Sequence, residues 1–121
     1  PKGEINQEDG KPRLYRQEET ENPALFLHGR EQRFLDRWVY KYLKYPESAI
    51  EKGISGRVII EFTVDYEGKV KDAEIIKSVD YGLDEAALKT IEASPDWKPA
   101  KIGGKPVSVR IAVPVEFRLK R

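Results

Sequence analysis

The side chains that most often carry enzyme chemistry are scarce in this sequence. His28 is the only histidine and there is no cysteine, so a thiolate nucleophile and a cysteine-based metal site are excluded. The acidic residues are scattered among basic ones and show no calcium-loop spacing. Gly103, Gly104 and Lys105 have the composition of a phosphate-binding loop, but they lack its strand-loop-helix setting and are interpreted as a hairpin-type turn. The sequence therefore predicts a protein that is not an enzyme and holds no metal or cofactor.

The remaining candidate for chemistry is the backbone hydrogen bonding of a strand near the C-terminus. From Val107 to Leu119 every odd position is apolar, which predicts a long strand with a single core face. Pro114 lies near its middle and has no N–H to give to a ladder, so we expect this strand at a sheet edge. Its even-numbered residues either protect an exposed edge from aggregation or keep that edge open for a partner chain, and both can hold.

The composition limits the kinds of protein that could present such an edge. The 121 residues suffice for one domain, since 39% of them are apolar. Charged residues make up 36% of the chain but nearly cancel, and the net charge of +1 gives no sign of nucleic-acid binding. No apolar run approaches the ~20 residues of a membrane-spanning helix. We expect a flexible linker at residues 1–23, which carry few large apolar side chains, and a single domain at residues 24–121.

Hydrophobic spacing predicts the helices that support the strand. After Arg30, apolar residues recur every three or four positions and predict an amphipathic helix that ends before Pro46. Pro46 then begins a shorter helix that runs to Lys52. A second main helix is expected from about Leu83 to Ala93.

Two further strands are predicted between these helices. They run from Gly56 to Val64 and from Val70 to Lys77, and Gly68 provides the positive φ that a short hairpin turn needs. The second strand changes parity part-way, which predicts a β-bulge near Lys71 and Asp72. The fold class is therefore α+β, with two main helices packed on one face of a three-stranded antiparallel or mixed sheet.

The order of the strands follows from the rules for connections. The last strand is expected beside the strand from Gly56 to Val64, so that the latter is central and the last strand lies at the edge. Leu14 and Tyr15 could add a short N-terminal strand.

Spaced runs along the chain, taken in order, form a specific pattern. They are Tyr45-Pro46-Glu47-Ser48-Ala49, Gly53-Ile54-Ser55-Gly56-Arg57-Val58, Phe62-Thr63-Val64-Asp65 with Gly68, Leu83-Asp84-Glu85-Ala86-Ala87, Trp97-Lys98-Pro99, and Gly104-Lys105-Pro106-Val107 with Pro114 and Phe117. From about Ala24 to Leu119 this pattern resembles the C-terminal domain of TonB proteins, in the style of the Bacteroidetes members. The chain departs from it at Leu27-His28-Gly29, where a Phe-Pro-Gly-Gly-like run is expected.

This resemblance implies a periplasmic energy transducer that carries out no covalent chemistry. Such proteins are anchored in the inner membrane by an N-terminal helix and work with an ExbB and ExbD motor driven by the proton gradient. They grip outer-membrane transporters of iron complexes, vitamins or glycans by pairing their last strand with a short transporter peptide, the TonB box. Two related uses remain open: a TonB-like module fused to another membrane protein, such as a receptor-type metallopeptidase, and a TolA-like envelope module.

Together with the strand pattern, the resemblance predicts the residues that bind the TonB box. If Pro114 interrupts the partner's ladder, the peptide pairs with the strand before it, and Arg110 meets acidic groups of the peptide. Tyr45 either packs on the first helix as a turn residue or flanks the docked peptide. The same edge could pair two copies of the domain as a homodimer. The predicted peptide-binding residues are Val107, Ser108, Val109, Arg110, Ile111, Ala112, Val113, Tyr45 and Pro46.

Overall fold

The structure, a computed structural model, describes residues 13–120. Its strands are β1 (Leu14–Arg16), β2 (Gly56–Val64), β3 (Val70–Lys77), β4 (Ala100–Ile102) and β5 (Lys105–Phe117). Its helices are α1 (31–42), α2 (Glu47–Glu51) and α3 (Tyr81–Glu92), and a single 3₁₀ turn (Gln17–Glu19) follows β1. The helix α1 is α-helical at Glu31–Phe34 and Tyr40–Tyr42 and π-helical at Leu35–Val39. The predicted α+β class is confirmed.

The helices pack on one face of the sheet because their apolar residues and those of the strands share a single core. The odd-numbered side chains of β5 from Val107 to Phe117 are buried together with Phe34, Val39 and Leu83 from the helices. The Asp80 carboxylate caps α3 by accepting the N–H groups of Gly82 and Leu83, an arrangement that is worth about 1 kcal/mol to a helix. The expected amphipathic helix after Arg30, the short helix after Pro46 and the second main helix are therefore all present.

An aromatic cluster fills the centre of this core. The ring of Phe34 lies 5.2 Å from that of Phe26, 5.6 Å from that of Phe62 and 5.0 Å from that of Trp97. Trp97 is buried in the same core. Trp38 is half-buried between α1 and α3, where its indole N–H donates to the carbonyl of Thr90.

The sheet places β2 at its centre, in the order β1-β5-β2-β3. β2 is antiparallel to both neighbours, and its register with β5 runs from Gly56 opposite Phe117 to Val64 opposite Val109. The predicted position of the last strand beside β2 is confirmed. The bulge in β3 is confirmed as well, because the register shifts opposite Phe62 and Asp72 adopts a φ of 53°.

β4 is a strand that the sequence pattern did not predict. It pairs with β5 from Ala100 opposite Val107 to Ile102 opposite Lys105. Gly103 and Gly104 join the two strands with φ values of 58° and 77°, so the predicted hairpin-type turn is present. A strand of three residues is too short to show an alternating pattern and depends on the partner strand beside it.

β1 corrects the prediction that the first half of β5 is an open edge. The short N-terminal strand expected at Leu14 and Tyr15 is present as β1, within the stretch otherwise expected to be a linker. It pairs in parallel with β5, from Leu14 opposite Ser108 to Arg16 opposite Arg110. The reason is physical: Tyr15 is only 7% exposed and joins the core, which holds the short strand against β5. The rest of that expected linker, residues 1–12, lies outside the described residues.

Candidate functional site

The outer side of β5, which faces away from β2, carries the backbone groups of its even-numbered residues. The hydroxyl of Tyr40 accepts the N–H of Glu116 at 3.1 Å and lies 3.5 Å from the carbonyl of Pro114. Because hydrogen-bonding groups alternate along a strand, the N–H and C=O of Ala112 face the same way. The missing N–H of Pro114 falls on this outer side, as the sequence pattern predicts.

Neighbouring elements cover this outer side unevenly. β1 pairs with residues 108–110 on this side. β4 pairs with the odd-numbered residues Val107 and Lys105, whose backbone groups face the side of β2, beyond the end of that strand. Within residues 13–120, no strand lies beside residues 111–117 on the outer side, and this section is called the open edge. Ala112 is exposed in the middle of the uncovered part, between the end of β1 and the hydroxyl of Tyr40.

A groove runs beside the open edge, between it and α1. Its volume is about 610 Å³, and its walls include Leu35, Tyr40, Leu43, Tyr45, Pro114 and Phe117. Tyr45 is half-buried, its hydroxyl donates to the carbonyl of Ile54, and its ring meets that of Phe117 edge-on at 5.3 Å. Tyr45 is therefore both a packed turn residue and a wall of the groove. Pro46 begins α2 and lies beside Gly82, and it does not line the groove.

Arg110 is engaged within the sheet rather than at the edge. Its guanidinium contacts Glu61 at 2.9 Å and Glu74 at 2.8 Å, and it also donates to the backbone carbonyl of Asp72. Its side chain is only 18% exposed. The expectation that Arg110 meets acidic groups of a peptide finds no support in this arrangement, because the chain's own carboxylates already occupy it.

Charged side chains around Glu116 lie at one end of the groove. The carboxylate of Glu116 contacts Arg57 at 2.7 Å and Arg118 at 2.8 Å. Hydrogen bonds from these guanidinium groups, the one from Arg57 above all, lower the pKa of Glu116 from its ordinary value of 4.5. The rim beside the open edge is therefore an ionised cluster with one acidic and two basic side chains.

The described residues offer no obvious alternative site. His28 lies at an exposed turn with a φ of 68°, and no group of three acidic or histidine side chains in residues 13–120 could hold a metal ion. Within the same residues, none of the helices combines the length and apolar character needed to span a bilayer. The edge of β5 is thus the best-defined candidate.

Comparison with known families identifies the domain that presents this edge. The family model for the C-terminal domain of Gram-negative bacterial TonB proteins matches residues 41–119, well over half of the chain. The chain belongs to the TonB C-terminal domain family. The match covers every element from α2 to β5, whereas β1 and most of α1 precede it.

Curated TonB proteins and solved TonB domains resemble the same part of the chain. TonB of Vibrio cholerae is 35% identical over 80 residues, which cover 64% of this chain and 32% of that protein. TonB of Helicobacter pylori strain J99 is 33% identical over 79 residues, which cover 64% of this chain and 26% of that protein. This chain thus spans between about a quarter and a third of the length of these TonB relatives.

The fold of the TonB domain is also found among solved structures. A solution structure of the Helicobacter pylori TonB C-terminal domain matches with a TM-score of 0.57 and 25% identity, covering 72% of this chain and 78% of that one. A second structure of the same domain matches with a TM-score of 0.55 and 26% identity, covering 72% and 91%. These likenesses agree with the α+β architecture.

The sequence pattern missed Tyr40, which contacts the open edge directly. Tyr40 lies outside the apolar stripe of α1, which includes Phe34, Leu35 and Val39. An aromatic residue on the polar side of an amphipathic helix was the available signal, since a solvent-facing position does not need a large ring.

Proposed function

We propose that this chain is the C-terminal domain of a TonB-type energy transducer. It binds the TonB box of outer-membrane TonB-dependent transporters as an added strand and passes on energy from the proton-motive force for nutrient uptake. Membership of the TonB family and an edge with a groove beside it support this proposal. In this function the domain carries out no covalent chemistry.

The observation that carries the proposal is the open edge of β5. Its backbone groups face outward between the end of β1 and Tyr40, beside a groove with apolar and aromatic walls. An extended peptide can hydrogen-bond to such an edge while its side chains contact the groove. Each net hydrogen bond contributes roughly 1 kcal/mol, so a partner of about five residues binds modestly and can be released after each transport step.

The arrangement divides the expected binding residues into two groups. Ile111, Ala112 and Val113 lie on the open edge, and Tyr45 lines the groove next to it. The outer side of residues 108–110 is paired with β1, so these residues become available to a peptide only when β1 is displaced, and Val107 pairs with β4. We therefore place first contact with the TonB box at the open edge.

The cellular location and the partners of the domain belong to the same proposal. The domain works in the periplasm as part of a protein anchored in the inner membrane, where ExbB and ExbD energise the region before it. Nucleic acid is not a partner, in line with the net charge of +1. Two copies could pair through the same open edge, which would compete with peptide binding.

The substitution Ala112→Pro tests the proposal. It removes an outward-facing N–H from the centre of the open edge and leaves the odd-numbered residues free to pair with β2. Synthetic TonB-box peptides are titrated into ¹⁵N-labelled protein, and we expect shifts along residues 111–117 that Ala112→Pro abolishes. The matched control Ala112→Val keeps the N–H and should retain binding.

The outcomes of this titration separate the proposal from its rivals. Undiminished binding to a folded Ala112→Pro protein would contradict pairing at the open edge. If no TonB-box peptide binds the unaltered protein, the result would instead point to a sensor or TolA-like module. Spectra of both variants without peptide show whether the fold is retained.

A further inference from the structure

We propose that β1 is a displaceable occupant of the docking edge. While it is seated, it closes residues 108–110 to any partner strand, and a peptide that reaches this section exchanges with it. This inference rests on the proposed function and adds a regulation of the same edge. It also states which kind of strand can take the place of β1.

β1 occupies β5 in the way an added strand would. It pairs in register, with Leu14 opposite Ser108 and Arg16 opposite Arg110. Along β1 the side chains alternate between exposed, buried and exposed, with Tyr15 as the buried one. The chain therefore carries its own short strand at the edge that a partner strand would use.

Two anchors hold this strand in place. The ring of Tyr15 is buried in the core, and the guanidinium of Arg13 lies 4.7 Å from its centroid. Directly after β1, the side-chain amide of Gln17 accepts the N–H of Ala24 at 2.7 Å and donates to the carbonyl of Ala24 at 2.9 Å. Leu14 and Arg16 are exposed and contribute little burial.

The anchoring of β1 is small compared with that of the remaining sheet. β2 and β5 pair over nine consecutive residue pairs, whereas β1 and β5 pair over three. β1 also precedes residues 41–119, so the family's domain is defined without it. Short peripheral segments with few buried contacts open at a lower free-energy cost than central strands. The opening of β1 can therefore occur while the domain stays folded.

The position of β1 makes the exchange stepwise. β1 ends opposite Arg110, where the turn at Gln17–Glu19 follows, and the open edge begins at Ile111. A peptide docked on the open edge therefore meets β1 end to end. It can advance along β5 only by replacing β1, residue by residue.

The geometry of Tyr15 defines the chemistry of the strand that can replace β1. Such a strand needs a large apolar or aromatic residue opposite Val109, because that side chain fills the space that Tyr15 leaves. The residues before and after it face solvent, as Leu14 and Arg16 do, and can be polar. The partner is therefore an extended peptide with one aromatic or branched apolar anchor.

A reversible covalent lock tests the exchange. The chain contains no cysteine, so the double substitution Leu14→Cys and Ser108→Cys introduces the only two thiols, at positions that face each other in register. Oxidation then ties β1 to β5, and reduction releases it. The reduced form of the same protein is the matched control, because it carries both substitutions.

Two probes are titrated into both forms of the locked protein. One is a synthetic TonB-box peptide and the other is a synthetic copy of residues 13–19. We expect at least about tenfold weaker binding of each probe to the oxidised form, since the competent state is then unavailable. Equal affinity of the two forms for a probe that binds would overturn the exchange.

The substitution Tyr15→Ala gives a second readout without a disulfide. It removes the buried anchor, so we expect the copy of residues 13–19 to bind this variant at least about tenfold more tightly than the unaltered chain. Leu14→Ala removes an exposed side chain instead and should leave the affinity unchanged. No binding of the copy to a folded Tyr15→Ala protein, or to the reduced double-cysteine protein, would contradict the proposal.

The two probes keep the exchange and the proposed function separate. If no TonB-box peptide binds while the copy of residues 13–19 responds to the lock, the exchange stands and the proposed function fails. If a TonB-box peptide binds both redox forms equally, the proposed function stands and the exchange fails. If Tyr15→Ala does not fold, the double-cysteine protein alone decides.

Discussion

The hydroxyl of Tyr40 accepts a hydrogen bond from the backbone N–H of Glu116 at 3.1 Å. It connects α1 to the far end of β5 and lies 3.5 Å from a second backbone group, the carbonyl of Pro114. A side chain thus occupies the place that a neighbouring strand would take at this part of the edge. Because Tyr40 is 40% exposed, it can move away when a peptide arrives.

We expect Tyr40→Phe to uncover the end of the open edge. Losing the contacts of this exposed hydroxyl with the Glu116 N–H and the Pro114 carbonyl should lower the free energy of unfolding by no more than about 1 kcal/mol. Hydrogen exchange of the Glu116 amide should become up to roughly fivefold faster, and TonB-box peptides should bind up to roughly fivefold more tightly, because the peptide no longer has to displace the hydroxyl. Tyr42→Phe is the control, since that ring packs on Trp38 instead. Unchanged exchange at Glu116 would show that the hydroxyl does not protect the edge.

Arg110→Gln should affect stability rather than peptide binding. The substitution removes contacts to Glu61 and Glu74 on the open face of the sheet, and we expect a loss of about 1 kcal/mol that shrinks at high salt. Urea unfolding at two salt concentrations measures this loss. Arg37→Gln, at an exposed position of α1, serves as the control.

The peptide affinity of the Arg110→Gln protein distinguishes the two roles considered for this residue. With Arg110 engaged inside the sheet, the Kd for TonB-box peptides should change by no more than about twofold. A large loss of affinity without a loss of stability would instead indicate that Arg110 contacts the peptide directly.

The pKa of Glu116 provides a pH-dependent prediction. Its folded pKa is lowered, chiefly by the hydrogen bond from Arg57, so the pairing contributes to stability above about pH 4.5 and is lost as the pH falls through the lower folded value. An NMR titration of the side-chain carboxyl should have its midpoint below 4.5. Arg57→Gln should move the midpoint upward, whereas Lys52→Gln, on an exposed neighbour of α2, should not. A midpoint insensitive to Arg57 would assign the shift to another group.

Phe34→Ala should be strongly destabilising because Phe34 is fully buried at the centre of the aromatic cluster. Removing the ring leaves a cavity among packed aromatics, and we expect a loss of about 3–5 kcal/mol in the free energy of unfolding. Tyr81→Ala removes an aromatic ring that is 80% exposed and should change stability by less than about 0.5 kcal/mol. Chemical denaturation of both variants makes the comparison, and similar values for the two would be incompatible with the described core.

The long elements could be predicted from the sequence because their patterns are local. Alternation gave the bounds of β2 and β3 as observed, and the change of parity in β3 located its bulge. Pro114 correctly indicated a position on the outer side of β5. The predicted helix at Leu83 to Ala93 differs from α3 by two residues at its start and by one at its end. Asp80 caps the start of the helix.

The covers of β5 could not be predicted in the same way. β1 has three residues, and although a short strand at Leu14 and Tyr15 was expected, its pairing with β5 depends on contacts that are distant in sequence. Tyr40 contacts β5 from a helix position that faces solvent by its spacing. β1 and Tyr40 decide which part of the edge is accessible, so the candidate site shifted from the first half of β5 toward its second half.

The bulge at Asp72 has a consequence for the growth of assemblies. It interrupts the ladder in the middle of β3, the strand at the opposite side of the sheet, and the carbonyl of Asp72 accepts a hydrogen bond from Arg110. Strand-by-strand polymerisation needs two competent edges on each molecule. Within residues 13–120, the interrupted β3 leaves β5 as the suitable edge, so we expect pairing through β5 to end after one partner. Such a domain is expected to stop at pairs and not to grow into fibres.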